Sequence, residues 1–242
     1  MVTSRNKGQK LVYDGNDDEP RAYSSPPCYR HELDPGYLDA ATPLQMDWPA
    51  VRKWRHEQRQ RINTLRNEIA REARKRANLA ILDFIDRDQV VDVVDTGIYW
   101  PMRGEFDSRP LMQRVLDGGG RVGIPVIVAR DAPLEFWYWD RKTKMRPRGP
   151  WNLLAPAERH AMKPSVLFIP LVGFDADGHR LGNGGGYFDR TLAAFESRPV
   201  TIGVGYETGR LDTIHPQPHD IALDAIVTDK AITWHRRRSG RL

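Results

Sequence analysis

From Trp48 onward the apolar residues return at close to the helical period. Trp54, Ile62, Leu65 and Ile69 define one side, and basic residues fill the others. Further along the pattern changes. "VVDVVDTGIYW" (Val90–Trp100) is a compact apolar run of the kind that forms a buried strand. "SRPLMQRVLDGGG" then reads as a helix, with Ser108 as N-cap, Pro110 in the first turn and Gly118 as the stop. Strands are expected over Arg121–Ala129, Leu134–Trp139, Ser165–Phe174 and Val200–Tyr206, with Leu223–Thr228 the last and shortest. A helix is expected over Phe188–Phe195, and the polar, Pro-rich passage from Arg141 to Lys163 is given no element. Strands alternating with helices predict an α/β fold: a single domain with a mostly parallel central sheet flanked by helices. An irregular N-terminal extension is expected over 1–48, the α/β domain over 49–232 and a basic C-terminal tail over 233–242.

Composition narrows the setting. Of 242 residues, 40% are apolar and 29% charged, as in a folded globular chain. Cys28 is the sole cysteine, which excludes an intrachain disulfide and fits a reducing cytoplasm. With no membrane-length apolar run, a soluble cytoplasmic protein is expected. Cys28, His31, Glu32 and Asp34 lie close together, but their spacing matches no paired-ligand metal pattern.

Net charge is +5, and between Arg52 and Arg76 ten basic residues face three acidic ones. Such an excess suits nucleic acid or a small anionic ligand. No nucleic-acid motif accompanies it, so a solvated helix face is the plainer reading and nucleic acid is not the expected partner.

The densest chemical signal is "RLGNGGGYFDR" (Arg180–Arg190), between an expected strand and an expected helix. "DADGHR" just before it has turn residues at the bend positions. Glycines allow left-handed backbone and let N–H groups approach an anion, to which a helix N-terminus adds a favourable dipole. The loop matches neither a Walker A sequence nor GxGxxG, so spacing alone leaves phosphate binding and an ordinary glycine-rich hairpin both open. Arg180 offers phosphate oxygens a planar fork. Asp189 suits a first helical turn, worth about 0.3–1 kcal/mol, or an oxygen ligand for Mg²⁺ beside phosphates. Tyr187 and Phe188 add an aromatic pair suited to a flat ring or to the core.

"IPLVGFDADGHRLGNGGGYFDR" resembles the signature of the 5-formyltetrahydrofolate cyclo-ligases, roughly PGxxFDxxGxRLGxGGGYYDR. "IYWPMRGEFDSRPL", "GGGRVGIPVIVARDAPLEF" and "TIGVGYETGRLDTIHPQPHDIALDAIVTD" resemble further family segments in the same order. The likeness runs from Trp48 to Asp229. It implies ATP-driven closure of 5-formyltetrahydrofolate to 5,10-methenyltetrahydrofolate, with release of ADP and phosphate. ATP and Mg²⁺ are the implied cofactors, folate the implied small-molecule partner, and a monomer or dimer the expected form.

Carried over by position, Arg180, Gly182, Asn183, Gly184, Gly185, Gly186, Tyr187 and Asp189 would hold ATP, with Arg180 and Tyr187 serving catalysis. Glu105, Trp100, Tyr187 and Phe188 would face the pterin, where a carboxylate matches adjacent N–H donors. Asp189 and Asp220 would be the Mg²⁺ ligands. The family's Lys-x-x-x-Arg becomes "VRKWR", with Arg55 at the arginine and Val51 at the lysine; Arg52 or Lys53 would stand in. The second tyrosine is Phe188, and the GIxEP segment appears as "PWNLLAP" without its glutamate. These departures keep open a non-catalytic or retuned folate- or nucleotide-binding homologue.

Overall fold

The computed structural model describes residues 46–88, 94–102, 104–149 and 152–236. The expected extension, as far as residue 45, and with it the cluster around Cys28, lies outside the described residues, as does the tail from residue 237.

Helix α1 (Trp48–Glu68) starts on Asp47, whose carboxylate accepts the Ala50 amide at 2.9 Å, with Pro49 in the first turn. Its buried residues are Val51, Arg55, Ile62 and Arg66. This is not the stripe that the apolar residues alone predict: Leu65 is 38% exposed. Arginines occupy part of the inward face. No proline or glycine separates α1 from α2 (Arg71–Arg87); Ile69 turns extended, and the Arg74 guanidinium donates to the otherwise orphaned Arg66 carbonyl.

The following elements are β1 (Asp95–Ile98), α3 (Arg109–Asp117), β2 (Arg121–Val126), β3 (Glu135–Trp139), β4 (Met145–Arg148), β5 (Leu153–Pro156) and β6 (Ala161–Met162). Then come β7 (Val166–Pro170), β8 (Gly173–Phe174), β9 (Arg180–Leu181), α4 (Tyr187–Ala194), β10 (Val200–Val204), β11 (Ala225–Val227) and β12 (Ile232–Trp234). Eight strands form one sheet in the order β12-β11-β10-β7-β1-β2-β3-β6. From β11 to β2 the strands run parallel, and antiparallel strands finish both edges. The expected α/β class holds. The Pro-rich passage, given no element, contains the β4–β5 hairpin and edge strand β6, and β12 adds a strand beyond the expected last one.

Ser108 occupies the N-cap of α3 but does not cap it; its hydroxyl donates to the Tyr99 carbonyl at 2.6 Å. Gly118 ends that helix in a right-handed conformation, and Gly119 takes the left-handed one at φ 85°.

Burial on both faces explains the near-continuous apolar strands. Val166 and Phe168 of β7 point to the side covered by α2 and α3, with Ile81, Leu82, Leu111 and Met112. Leu167 and Ile169 point to the other side, where Leu192 of α4 packs. The chain therefore leaves β1 toward one face and β7 toward the other. Between adjacent parallel strands, that divergence opens a crevice at their carboxyl ends. Across this end lies α1, whose Ile62 packs with Val172, Leu181, Leu211 and Ile214.

Candidate functional site

Two loops border the crevice. The one after β7 begins as the β8–β9 hairpin, and buried Asp175 organises its tip. One carboxylate oxygen accepts the Asp177 and His179 amides at 3.2 and 3.0 Å; the other accepts Ile214 N–H at 3.1 Å. This delivers Arg180 into a buried position, 8% exposed. Its guanidinium lies 3.0 Å from Asp189, donates to the Ile221 carbonyl at 3.4 Å and sits 5.9 Å over the Phe188 ring.

The chain then opens out. Gly184 and Gly186 take φ of 96° and 62°, a region closed to most side chains. Gly186 is the N-cap of α4, and Asp189 falls in that helix's first turn with its carboxylate accepting Ile221 N–H at 3.2 Å. Arg190 donates to the Gly185 carbonyl at 2.6 Å and covers the Tyr187 ring at 4.9 Å.

The loop after β1 is closed by contrast. Glu105 is 9% exposed, and its carboxylate accepts Met102 N–H at 2.9 Å. Burial raises its pKa; the Met102 amide, the Arg66 charge and a hydrogen bond from the Asn183 side chain offset part of that rise. Arg66 donates to the Gly104 carbonyl at 3.0 Å and to the Leu171 carbonyl at 3.5 Å, tying the two loops together. Tyr206 hydroxyl lies 2.7 Å from Asn78 Oδ1 and 3.3 Å from the Glu105 carbonyl, and burial pushes its pKa up to about 12. Trp100 beside this loop meets Trp139 edge to face at 6.0 Å.

Helix α1 supplies the third wall. Arg55 donates to the Ile214 and His215 carbonyls at 3.0 and 2.9 Å and pairs with Asp220 at 2.5 Å. Asp220 also accepts the Gln217 amide at 2.7 Å. Burial alone would raise its pKa, but the bonds from Arg55 and Gln217 and the charges of Arg55 and His219 outweigh it, so Asp220 stays below the usual carboxylate range. One turn on, Arg59 donates to the Gly182 carbonyl at 2.7 Å. A buried carboxylate on one loop and arginines with open backbone on the other suit a hydrogen-bonding heterocycle beside a polyanion.

Residues 51–229 match the family model for 5-formyltetrahydrofolate cyclo-ligases. The chain belongs to that family. It is 27% identical to the 5-formyltetrahydrofolate cyclo-ligase of Haemophilus influenzae, over 65% of this chain and 94% of that protein. The Escherichia coli K12 enzyme of the same name is also 27% identical, over 72% of this chain and 97% of its own. Among solved structures, the Aquifex aeolicus 5,10-methenyltetrahydrofolate synthetase superposes with a TM-score of 0.64 at 22% identity, covering 78% of this chain and 96% of that one, which shows the shared fold.

In this cyclo-ligase family member the expected site residues fall as follows. Arg180, Phe188 and Asp189 form one contact group, and Asp189 meets the backbone next to Asp220. Asp189 and Asp220 each already face an arginine. Asn183 of the glycine loop acts on the Glu105 carboxyl, lowering its pKa. Arg52 and Lys53 are exposed on α1, and Val51, at the family's lysine position, is 1% exposed in the core. Arg59 and Arg66 were not among the expected residues. Their signal was present: both continue the spacing of Val51, Arg55 and Ile62 along one helix face. The plainer reading of the basic stretch, a solvated face, therefore fails for Arg55 and Arg66, which are buried in polar contacts.

Proposed function

We propose that the protein catalyses ATP-dependent cyclisation of 5-formyltetrahydrofolate to 5,10-methenyltetrahydrofolate, releasing ADP and phosphate. The observation that carries the reading is that the loop with buried Glu105 and the loop with the family's glycines follow adjacent parallel strands at one end of the sheet, where Arg66 bonds to Gly104 and Leu171. The formyl oxygen is a poor leaving group. Its attack on the terminal phosphorus of ATP forms a P–O bond and releases ADP. The N10 nitrogen then closes on the activated carbon and gives up its proton, and the C–O bond breaks with loss of phosphate. Such chemistry needs positioning and charge neutralisation more than an acid–base residue. Arg180 neutralises the transferring phosphoryl, and the left-handed loop turns backbone N–H groups toward phosphate oxygens. Tyr187 and Phe188 flank the ring, with Trp100 packed behind. Glu105 accepts from the pterin N–H groups and holds the heterocycle in register.

Asp189 and Asp220 fit a Mg²⁺ shared with phosphate oxygens better than a site made by protein alone. Asp189 accepts the amide of Ile221, the residue after Asp220, and Mg²⁺ characteristically takes one or two carboxylates with phosphate. Bound there, Mg²⁺ would offset phosphate charge while Arg55 and Arg180 orient the two carboxylates. Among the described residues no helix is long and apolar enough to cross a membrane. The proposed setting is the cytoplasm and the proposed form a monomer or dimer.

The test is the absorbance of the methenyl product. Purified protein with Mg-ATP and 5-formyltetrahydrofolate should produce it, and omission of ATP should abolish it. Binding of both ligands without product would instead favour the non-catalytic homologue, for which Val51 and the missing GIxEP glutamate speak.

A further inference from the structure

The arginines around the glycine loop are not equivalent. Arg55 is paired with Asp220, Arg180 with Asp189, and Arg190 comes within 3.9 Å of Asp131. Arg59, among the described residues, lies within ion-pair distance of no carboxylate. Among the described residues its only hydrogen bond runs to the Gly182 carbonyl, and its guanidinium carbon lies 3.4 Å from where a Cβ on Gly184 would be. A half-buried guanidinium thus rests on the open backbone of the loop, filling the space that glycine leaves. Desolvation lowers its pKa, repulsion from Arg55 lowers it further, and the charge of Asp220 restores only part. The fold therefore holds at the loop a positive charge with which, among the described residues, no carboxylate pairs directly. That arrangement costs stability in the free chain and is relieved by an anion.

We propose that Arg59 is a phosphate-binding residue of this site, latching the Gly182 carbonyl in the free chain and supplying to the bound polyphosphate the cation that buried Val51 cannot. Arg52 and Lys53 are exposed on the helix, whereas Arg59 touches the loop itself. The assignment rests on the reading that this crevice takes ATP. It names a residue for that role and predicts that charge, more than shape, is what the position contributes.

The experiment uses full-length protein, calorimetric titration with inorganic tripolyphosphate and with ATP, and three variants. Arg59→Gln keeps an N–H donor for the Gly182 carbonyl but loses the charge; Arg59→Lys keeps the charge. Arg61→Gln removes an exposed charge from the same helix and serves as control. Arg59→Gln should weaken tripolyphosphate binding by at least about ten-fold and flatten its salt dependence. Arg59→Lys should recover most of the affinity, Arg61→Gln should match wild type, and the melting temperature of Arg59→Gln should not fall. Tripolyphosphate affinity of Arg59→Gln within two-fold of wild type overturns the assignment. So does equal loss in the Gln and Lys variants, which would mark a shape-bound latch, or a loss confined to folate affinity. Wild type that binds tripolyphosphate through Arg59 yet forms no methenyl product supports this assignment and removes only the cyclo-ligase reading.

Discussion

The two loops that leave the sheet beside one another solve opposite problems. The loop over 104–108 is closed: Glu105, Phe106 and Ser108 are buried, Arg66 and Ser108 donate to the Gly104 and Tyr99 carbonyls, and the Tyr206 hydroxyl lies 3.3 Å from the Glu105 carbonyl. The Gly182–Gly186 loop is open, with Asn183, Gly184 and Gly186 exposed and two glycines in left-handed backbone. A heterocycle presenting fixed N–H donors is best read by one acceptor that cannot move, so the cost of burying Glu105 is offset by rigidity and by Arg66. A polyphosphate presents many equivalent oxygens, and exposed N–H groups with arginines meet them without a rigid frame. Helix α1 serves both loops: Arg66 holds the closed one and Arg59 meets the open one, while Arg55 holds Ile214, His215 and Asp220.

The largest effect should come from breaking the closed side. Arg66→Met leaves the Gly104 and Leu171 carbonyls without their donor and Glu105 without its nearby charge. It should cost about 3 kcal/mol of stability in urea unfolding, from roughly 1–3 kcal/mol per orphaned buried group. On the open side, Arg180→Ala should lower kcat/KM for ATP at least about ten-fold, since charge-assisted bonds contribute roughly 1.5–3 kcal/mol each. Lysine should rescue it only in part, lacking the fork.

Glu105→Gln should raise the folate KM about ten-fold, because a donor would face the pterin donors, and leave the ATP KM near wild type. The same variant has a pH signature. The folded carboxyl has a raised pKa, so its favourable contribution exists while it is protonated and is lost as pH rises from the ordinary glutamate range through the folded value. Glu105→Gln should therefore gain stability relative to wild type across that rise in pH, read as urea midpoints. Smallest is Gly184→Ala. Its φ of 96° should cost about 1 kcal/mol of stability, read as a lower urea midpoint, with the folate KM unaffected.

What the sequence disclosed divides along the same line. The parallel core was legible because β7 is apolar on both faces and β10 is buried throughout, with Val200, Ile202 and Val204 along one side. Hairpin β4–β5 was not, because Met145–Arg148 is largely exposed and carries arginine and proline where a strand signal needs alternation. Ser108 is a capping residue type in the capping position, yet the Tyr99 carbonyl, distant in local pattern, accepts its hydrogen bond. The glycine loop, Arg180 and Asp189 were legible through their fixed spacing and the family signature. Arg59 and Arg66 were hidden by their type: arginine on a helix reads as solvated, and only the packing of α1 over the strand ends turns these two inward.

The central claim, that the closed loop reads folate and the open loop reads ATP, is tested most directly by one set of initial rates. Methenyl formation should be followed for wild type, Glu105→Gln and Arg180→Lys while each substrate is varied in turn. The expected outcome is a crossed pattern, with the folate KM raised in the first variant and the ATP KM in the second, each leaving the other constant within about two-fold. Equal rises in both constants for both variants would contradict the division and make the crevice a single structural unit.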